Sequence, residues 1–243
     1  MKLDVLAIGV HPDDVELGCS GVLIKEIRRG KVVGIVDLTE GELGTRGTVE
    51  TRYKEAADAT KIIGASVRVN LKMRDGFFTN DEAHQLQLIQ VLRRYKPEIV
   101  IGNVLEDRHP DHGRAGQLIY DACFLSGLQK VITHEEDGIE QSRWRPKHLL
   151  HYIQDRFYEP DLVVDITEVW EQRLQSIKAY STQFFNGGST EPQTYISNPE
   201  FLESIIARAR LLGKRIGVQF AEGFISRKSI GVDNLGALIL KET

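Results

Sequence analysis

Two short stretches gather the groups that could do chemistry. "GVHPDDVELG" (9–18) places His11, Pro12, Asp13 and Asp14 directly after the apolar run "LDVLAI", and "EDRHPDH" (106–112) places Arg108, His109, Asp111 and His112 after "PEIVIGNV". An imidazole and a carboxylate three residues apart across a proline-stiffened turn can meet at one point. Two histidines, one carboxylate and a water make a catalytic zinc set, so His11 and Asp14 need one further histidine, from either His109 or His112. Asp13 would then stay free beside the ion as a general base. The remaining histidine of "HPDH" would serve proton transfer or oxyanion stabilisation. A lone His-Pro-Asp can instead cap a helix. Two of them at equivalent strand ends point to converging ligands.

The elements that must position these residues alternate. "DVLAIGV", "KVVGIVDLT", "SVRVNLK" and "PEIVIGNV" read as strands buried on both faces. Helical patterns lie between them, over 15–29 up to Gly30, over 49–63 up to Gly64, and through "DEAHQLQLIQVLRRYK" before Pro97. The series predicts an α/β fold with a Rossmann-like, doubly wound, mostly parallel sheet, whose ligands bind beyond the carboxyl ends of the strands. One domain is expected over 1–243, with the core in 1–128 and a smaller C-terminal lobe in 129–243. The core should end in a helix from Gly113 to about Ser126, and the lobe should hold the polar surface loop "THEEDGIEQSRWRPK", strands at "HLLHYIQ" and "LVVDITE", and helices near 168–180 and 198–212. "FFNGGSTEPQTYISNP" is a long loop beside the site, which makes residues 185–200 a candidate lid.

Composition excludes several classes. Among 243 residues, 31 basic and 35 acidic side chains give a net charge of −4, and no basic stripe interleaved with aromatics follows a phosphate backbone, so no nucleic-acid partner is expected. No apolar run approaches the roughly 20 residues of a membrane span and no signal-peptide pattern opens the chain, so the expected location is cytoplasmic and the expected state of Cys19 and Cys123 is reduced. The turn after the first strand lacks G-x-G-x-x-G, which sets aside a nicotinamide cofactor. His84, His134, His148 and His151 have no partner at ligand spacing and are expected on the surface or in strands.

"HPDDVELG" followed about a hundred residues later by "EDRHPDH" resembles the LmbE-like (PIG-L) family of zinc-dependent N-deacetylases, which act on N-acetylglucosamine conjugates. "GTVETRYKEA", "AYSTQF" and "GVQFAEGF" resemble the branch that deacetylates N-acetylglucosaminyl malate in bacillithiol biosynthesis. The resemblance implies Zn2+ as cofactor, with His11, Asp14 and His112 as ligands, Asp13 as general base, His109 supporting the oxyanion, and Asp111 fixing the tautomer of His109. It implies an active-site arginine at Arg52, with Arg46 as the nearby competitor, and a homo-oligomer of the hexameric kind common in that branch. Arg108, beside His109, is placed to meet an anionic group of the substrate; an intraprotein pair with Glu106 or Asp107 is the competing role. The partner expected is therefore a small-molecule N-acetylglucosamine conjugate.

Two other classes compete. A sugar- or nucleotide-binding module would need neither metal nor Asp13. A glycosidase using Asp13 and Asp14 fits poorly, because glycosidase carboxylates face each other across about 5–9.5 Å, usually from separate elements.

Overall fold

A computed structural model describes residues 1–184 and 190–240. Seven strands form one sheet in the order β3-β2-β1-β4-β5-β7-β6. The strands are β1 (Val5–Gly9), β2 (Val33–Thr39), β3 (Val67–Met73), β4 (Ile99–Asn103), β5 (His148–Tyr152), β6 (Leu162–Asp165) and β7 (Ala221–Ser226). The first five are parallel, and β7 runs antiparallel between β5 and β6. β1 and β2 are buried along their whole length; β1 is wholly apolar, and the one carboxylate in β2, Asp37, is paired with Arg68.

Among the described residues, seven α-helices cover the sheet: α1 (Asp14–Gly18), α2 (Ser20–Arg28), α3 (Val49–Ile63), α4 (Glu82–Tyr95), α5 (Pro110–Leu125), α6 (Trp170–Lys178) and α7 (Pro199–Ile216). α4 and α5 pack on one face around Leu88, Leu92, Leu118 and Ile119, while α2, α6 and α7 pack on the other around Leu23, Trp170 and Ala209. The chain therefore changes faces between β1 and β4. The loops after these two neighbouring strands diverge in sequence by about a hundred residues yet open side by side, and they are the two histidine motifs.

Local chemistry sets the helix ends. Thr48 and Thr51 form a reciprocal capping box at α3, and Gly64 ends it in a left-handed conformation. The stretch expected as one helix over 15–29 breaks at Cys19, so α1 and α2 are separate. α5 begins at Pro110, three residues earlier than Gly113, with His109 as its N-cap and proline in the first turn. β7 begins within "GVQFAEGF" and runs on to Ser226, a segment the alternation of strands and helices leaves unassigned.

The C-terminal part extends the same sheet through β5, β7 and β6 and adds a small third cluster of Leu17, Ala59, Ile177, Tyr180 and Ile205. Of the expected lid over 185–200, residues 185–189 lie outside the described residues. Cys19 and Cys123 are free thiols buried in the two different core clusters, on opposite faces of the sheet. No helix among the described residues is long and apolar enough to cross a membrane.

α5 approaches β4 closely because Gly116 has no side chain. A Cβ at Gly116 would sit 2.5 Å from the Val104 carbonyl oxygen and 2.9 Å from that of Asn103. Backbone cannot move aside as a side-chain tip can. Gly116→Ala is expected to destabilise the protein by about 1–3 kcal/mol, the usual cost of overpacking, seen as a lower urea midpoint with an unchanged m-value.

Candidate active site

The carboxyl ends of the parallel strands enclose a cavity of about 290 Å³ that takes residues from every one of their loops. His11, Asp13 and Asp14 come after β1, Leu43 and Gly44 after β2, and Asp75 and Gly76 after β3. Arg108, His109 and His112 follow β4, and Gln154 follows β5.

Asp14 is the fixed point. Its Oδ2 accepts the backbone N–H groups of Val10 and His11, each at 3.0 Å, and Asn103 Nδ2 at 3.4 Å. Its Oδ1 accepts Gln154 Nε2 at 2.6 Å. His112 Nε2 lies 3.3 Å from Oδ1, and His11 Nδ1 lies 3.7 Å from Oδ2. The other nitrogen of each ring is held by a carboxylate: His11 Nε2 by Asp75 at 2.9 Å, His112 Nδ1 by Asp107 at 2.8 Å. Such backing orients an imidazole toward an ion and raises its basicity.

Candidate ligand atoms of His11, Asp14 and His112 all lie within 4.8 Å of one another. His11, His109 and Asp111 satisfy the same distance, but both Asp111 oxygens are engaged, Oδ1 by Arg114 at 2.6 Å and Oδ2 by the Gly76 N–H at 2.8 Å. His11, Asp14 and His112 are the better fit to a divalent cation, because two carboxylate-backed imidazoles and a buried carboxylate turn toward one point. The field there calls for positive charge. Burial disfavours charge on both rings, yet Asp75 and Asp14 raise the pKa of His11, and Asp14 and Asp107 raise that of His112.

The two adjacent aspartates titrate in opposite directions. Burial alone would raise Asp14, but His112, His11 and the Gln154 amide hold it well below the usual carboxylate range. Asp13 makes no side-chain cap on α1, and burial, opposed by Arg52, pushes it up to about 7. Its backbone is strained as well, at φ 132°, in a region that residues bearing a Cβ rarely adopt.

His109 and Asp111 relate differently from the expectation. The Asp111 carboxylate is turned away to Arg114 and Gly76, and the backbone N–H of Asp111 donates to His109 Nδ1 at 3.3 Å. Because α5 starts at Pro110, Asp111 stands in the first helical turn and its side chain faces the β3 loop. That bond leaves the proton of a neutral His109 on Nε2, and burial together with the charges of His11 and His112 lowers the pKa of the ring.

Arg52 and Arg46 separate clearly. Arg52 is buried and lines the cavity, its Nη2 donating to Gln183 Oε1 and its Nη1 lying 3.5 Å from the Pro12 carbonyl oxygen. Arg46 donates to the carbonyls of Thr182 at 2.6 Å and Pro192 at 3.1 Å and does not line the cavity. Glu55 accepts from Ser181 Oγ and from the Thr182 backbone and hydroxyl, which docks "AYSTQF" on α3 and brings Gln183 to Arg52. Arg108 lines the mouth, pairs with Asp155 at 3.2 Å and stacks on Tyr195 at 4.2 Å. Its expected competitors are otherwise engaged, Glu106 by Arg156 and Asp107 by His112.

Asp75, Asp107, Asn103 and Gln154 support the site without having been singled out as site residues by their spacing. Asp75, Asn103 and Gln154 each end or closely follow a strand at the carboxyl edge, which was the available signal. Of the remaining histidines, His84 pairs with Asp81 at 2.8 Å and His151 is buried in β5.

The sequence pattern of the GlcNAc-PI de-N-acetylase family, PIG-L, matches residues 6–123. An Escherichia coli protein named uncharacterized deacetylase YaiS is 31% identical over 131 residues, covering 49% of this chain and 67% of that one. The diacetylchitobiose deacetylase of Thermococcus kodakarensis is 28% identical over 234 residues, 90% of this chain and 81% of its own. The crystal structure of the conserved protein TT1542 from Thermus thermophilus superposes with a TM-score of 0.84 at 35% identity, covering 95% and 97% of the two chains. Lower in identity are a probable N-acetyl-α-D-glucosaminyl L-malate deacetylase of Bacillus subtilis (26%, 75% and 84% covered) and a 4-oxalmesaconate hydratase of Pseudomonas putida (25%, 73% and 73% covered).

Two measurements test this geometry. His11→Ala and His112→Ala are each expected to lower zinc affinity by at least tenfold in a competition titration, whereas His109→Ala should retain it. For Asp13, the folded state keeps a proton between about pH 4 and 7 that the unfolded chain has lost, so metal-free wild type loses stability as pH rises through that window. Asp13→Asn removes this dependence. Its stability gain over wild type should grow from pH 4 to 7 toward an upper bound of about 4 kcal/mol and then level off, as read from denaturant melts in chelator.

Proposed function

Because the chain belongs to the PIG-L family of de-N-acetylases, we propose that it is a zinc-dependent hydrolase that removes the acetyl group from an N-acetylglucosamine conjugate, specifically N-acetylglucosaminyl L-malate. The observation that carries the reading is the division of labour between adjacent carboxylates: Asp14 faces His11 and His112, while Asp13 stands in the same cavity outside that ligand set.

His11, Asp14 and His112 would hold the zinc, which would supply a Lewis acid for the acetyl carbonyl and lower the pKa of a water to about 7. Asp13 takes the proton of the attacking water, and its placement next to the ligands rather than among them leaves both oxygens for that exchange. His109, neutral with its proton on Nε2, donates to the oxygen that becomes negative as the carbonyl turns tetrahedral. Arg52 adds a fixed positive charge beside Asp13, held by Gln183, so little reorganisation accompanies charge development. The C–N bond then breaks, acetate leaves, and the amine receives the proton that Asp13 holds.

Arg108 supports the malate assignment. It lies at the cavity mouth on the same strand-end loop as His109, over the Tyr195 ring and bonded through Nε to Asp155, and a carboxylate of a malate aglycone would meet its two Nη groups. The relative named as an L-malate deacetylase is consistent with it.

Incubating the zinc-loaded protein with N-acetylglucosaminyl malate and following acetate and free amine tests the activity. Turnover is expected, with Asp13→Asn lowering kcat by about a hundredfold or more while zinc stays bound. Release of no acetate from this substrate, from N-acetylglucosamine or from diacetylchitobiose would reject deacetylation in favour of a hydratase or a binding module. Arg108→Ala should raise KM for the malate conjugate about tenfold and leave plain N-acetylglucosamine little changed. Equal loss on both substrates would reject the carboxylate clamp and keep the deacetylase.

A further inference from the structure

A second cavity of about 290 Å³ opens on the α5 face of the sheet, beyond the edge of that helix, and shares no residue with the first. It is lined by His151, the penultimate residue of β5, which is 1% exposed. The ring's Nδ1 donates to the Asn103 carbonyl oxygen at 2.6 Å, so its Nε2 is left as an acceptor, and no group among the described residues reaches that atom. A buried acceptor without a donor costs about 1–3 kcal/mol. Burial, opposed by the Asn103 bond and aided by the charge of Arg227, keeps the ring neutral, so Nε2 retains its lone pair.

The wall around this atom is basic. Arg145, Lys147, Arg227 and Lys228 line the cavity, and no carboxylate does. Lys147 is paired with Glu98 at 2.9 Å, but Arg145, Arg227 and Lys228 form no ion pair among the described residues. The two guanidiniums are braced rather than loose. Arg227 lies over Tyr120 at 4.1 Å, and Arg145 lies over Phe124 at 4.3 Å while donating to its carbonyl at 2.8 Å. Bracing of this kind reduces the rotamer entropy lost when an anion is bound.

We propose that this cavity is a second binding site, for a small hydroxylated organic anion: its phosphate or carboxylate rests on Arg227, Arg145 and Lys228, and one of its hydroxyls donates to His151 Nε2. The two halves of the site select together. Cations alone would accept any anion, and the lone imidazole acceptor alone would accept any alcohol. A sugar phosphate and a sugar acid both satisfy the pair, and the volume is close to the lower bound for small-ligand sites, about 300 Å³.

Titration calorimetry on the zinc-loaded full chain, with glucose 6-phosphate, gluconate and glucose, tests the site and separates its two anion sources. One of the two anions is expected to bind at one equivalent outside the catalytic cavity, with uncharged glucose at least tenfold weaker. Arg227→Met and His151→Phe should each weaken that anion at least tenfold, and Arg108→Ala should leave it unchanged. Arg227 is at the surface, so its variant keeps the test open should His151→Phe fail to fold. Binding of neither anion, binding as tight for glucose, or binding that follows Arg108 instead of Arg227 would overturn the proposal. So would a change in oligomeric state of Arg227→Met by light scattering without loss of anion affinity, which would make the face a contact between copies around the exposed Phe124 and Ile230.

Discussion

A single buried carboxylate constrains most of what surrounds it. Asp14 is 2% exposed, and an isolated charge at such a place is prohibitively costly. Its two oxygens are satisfied from three separate loops: the backbone of the β1 turn, Asn103 at the end of β4, and Gln154 after β5. Satisfying Asp14 therefore fixes how β1, β4 and β5 end relative to one another. The strained φ of Asp13 follows from the same requirement, since the chain must turn sharply enough for Asp14 to reach back to the N–H groups of Val10 and His11. Strain of this kind persists only where its surroundings over-determine it.

The layout also explains how neighbouring residues of one type acquire opposite character. Asp13 and Asp14 are equally buried; what differs is the company each keeps. Asp14 receives hydrogen bonds and two imidazoles, Asp13 receives mainly desolvation against one guanidinium, and their proton affinities move apart. The histidines divide in the same way. His11 and His112 are each backed by a carboxylate, while His109 is backed by a backbone N–H and stays neutral. An acid, a base and an ion-holding group are thus made from two residue types by changing their neighbours.

Much of this was readable from the chain. The predominantly apolar runs of β1 and β2 and the glycine or proline stops of α3 and α4 gave local signals strong enough to place the sheet, and the repeated His-Pro-Asp located the cavity. β7 was not readable, because "FAEGFIS" mixes a buried carboxylate and a glycine into a strand whose identity depends on pairing with β5 and β6. The partner of His109 was missed for a related reason. Whether Asp111 presents its carboxylate or its N–H is settled by where α5 begins, and Pro110 moves that start ahead of Gly113. Asp75, Asn103 and Gln154 are single polar residues in distant segments, and only the sheet order brings them to Asp14 and His11.

The sheet order has a consequence for how the chain matures on the ribosome. Among the described residues β6 pairs only with β7, which is itself threaded between β6 and β5 and emerges 56 residues after Asp165. At about 5–20 residues per second, that interval leaves two strand edges unsatisfied for several seconds while α6 and α7 are being made. β7 also brings Glu222, whose carboxylate accepts the N–H groups of Gly21 and Val22 at the start of α2 and the guanidinium of Arg173. The helix pair that carries Asp14, already tied to Gln154, Asp165, Glu168 and Arg173, gains its carboxylate clamp only when the final strand arrives. A nascent chain already displays both histidine motifs well before it can hold them still, so translation delivers the reactive groups early and their rigid frame last.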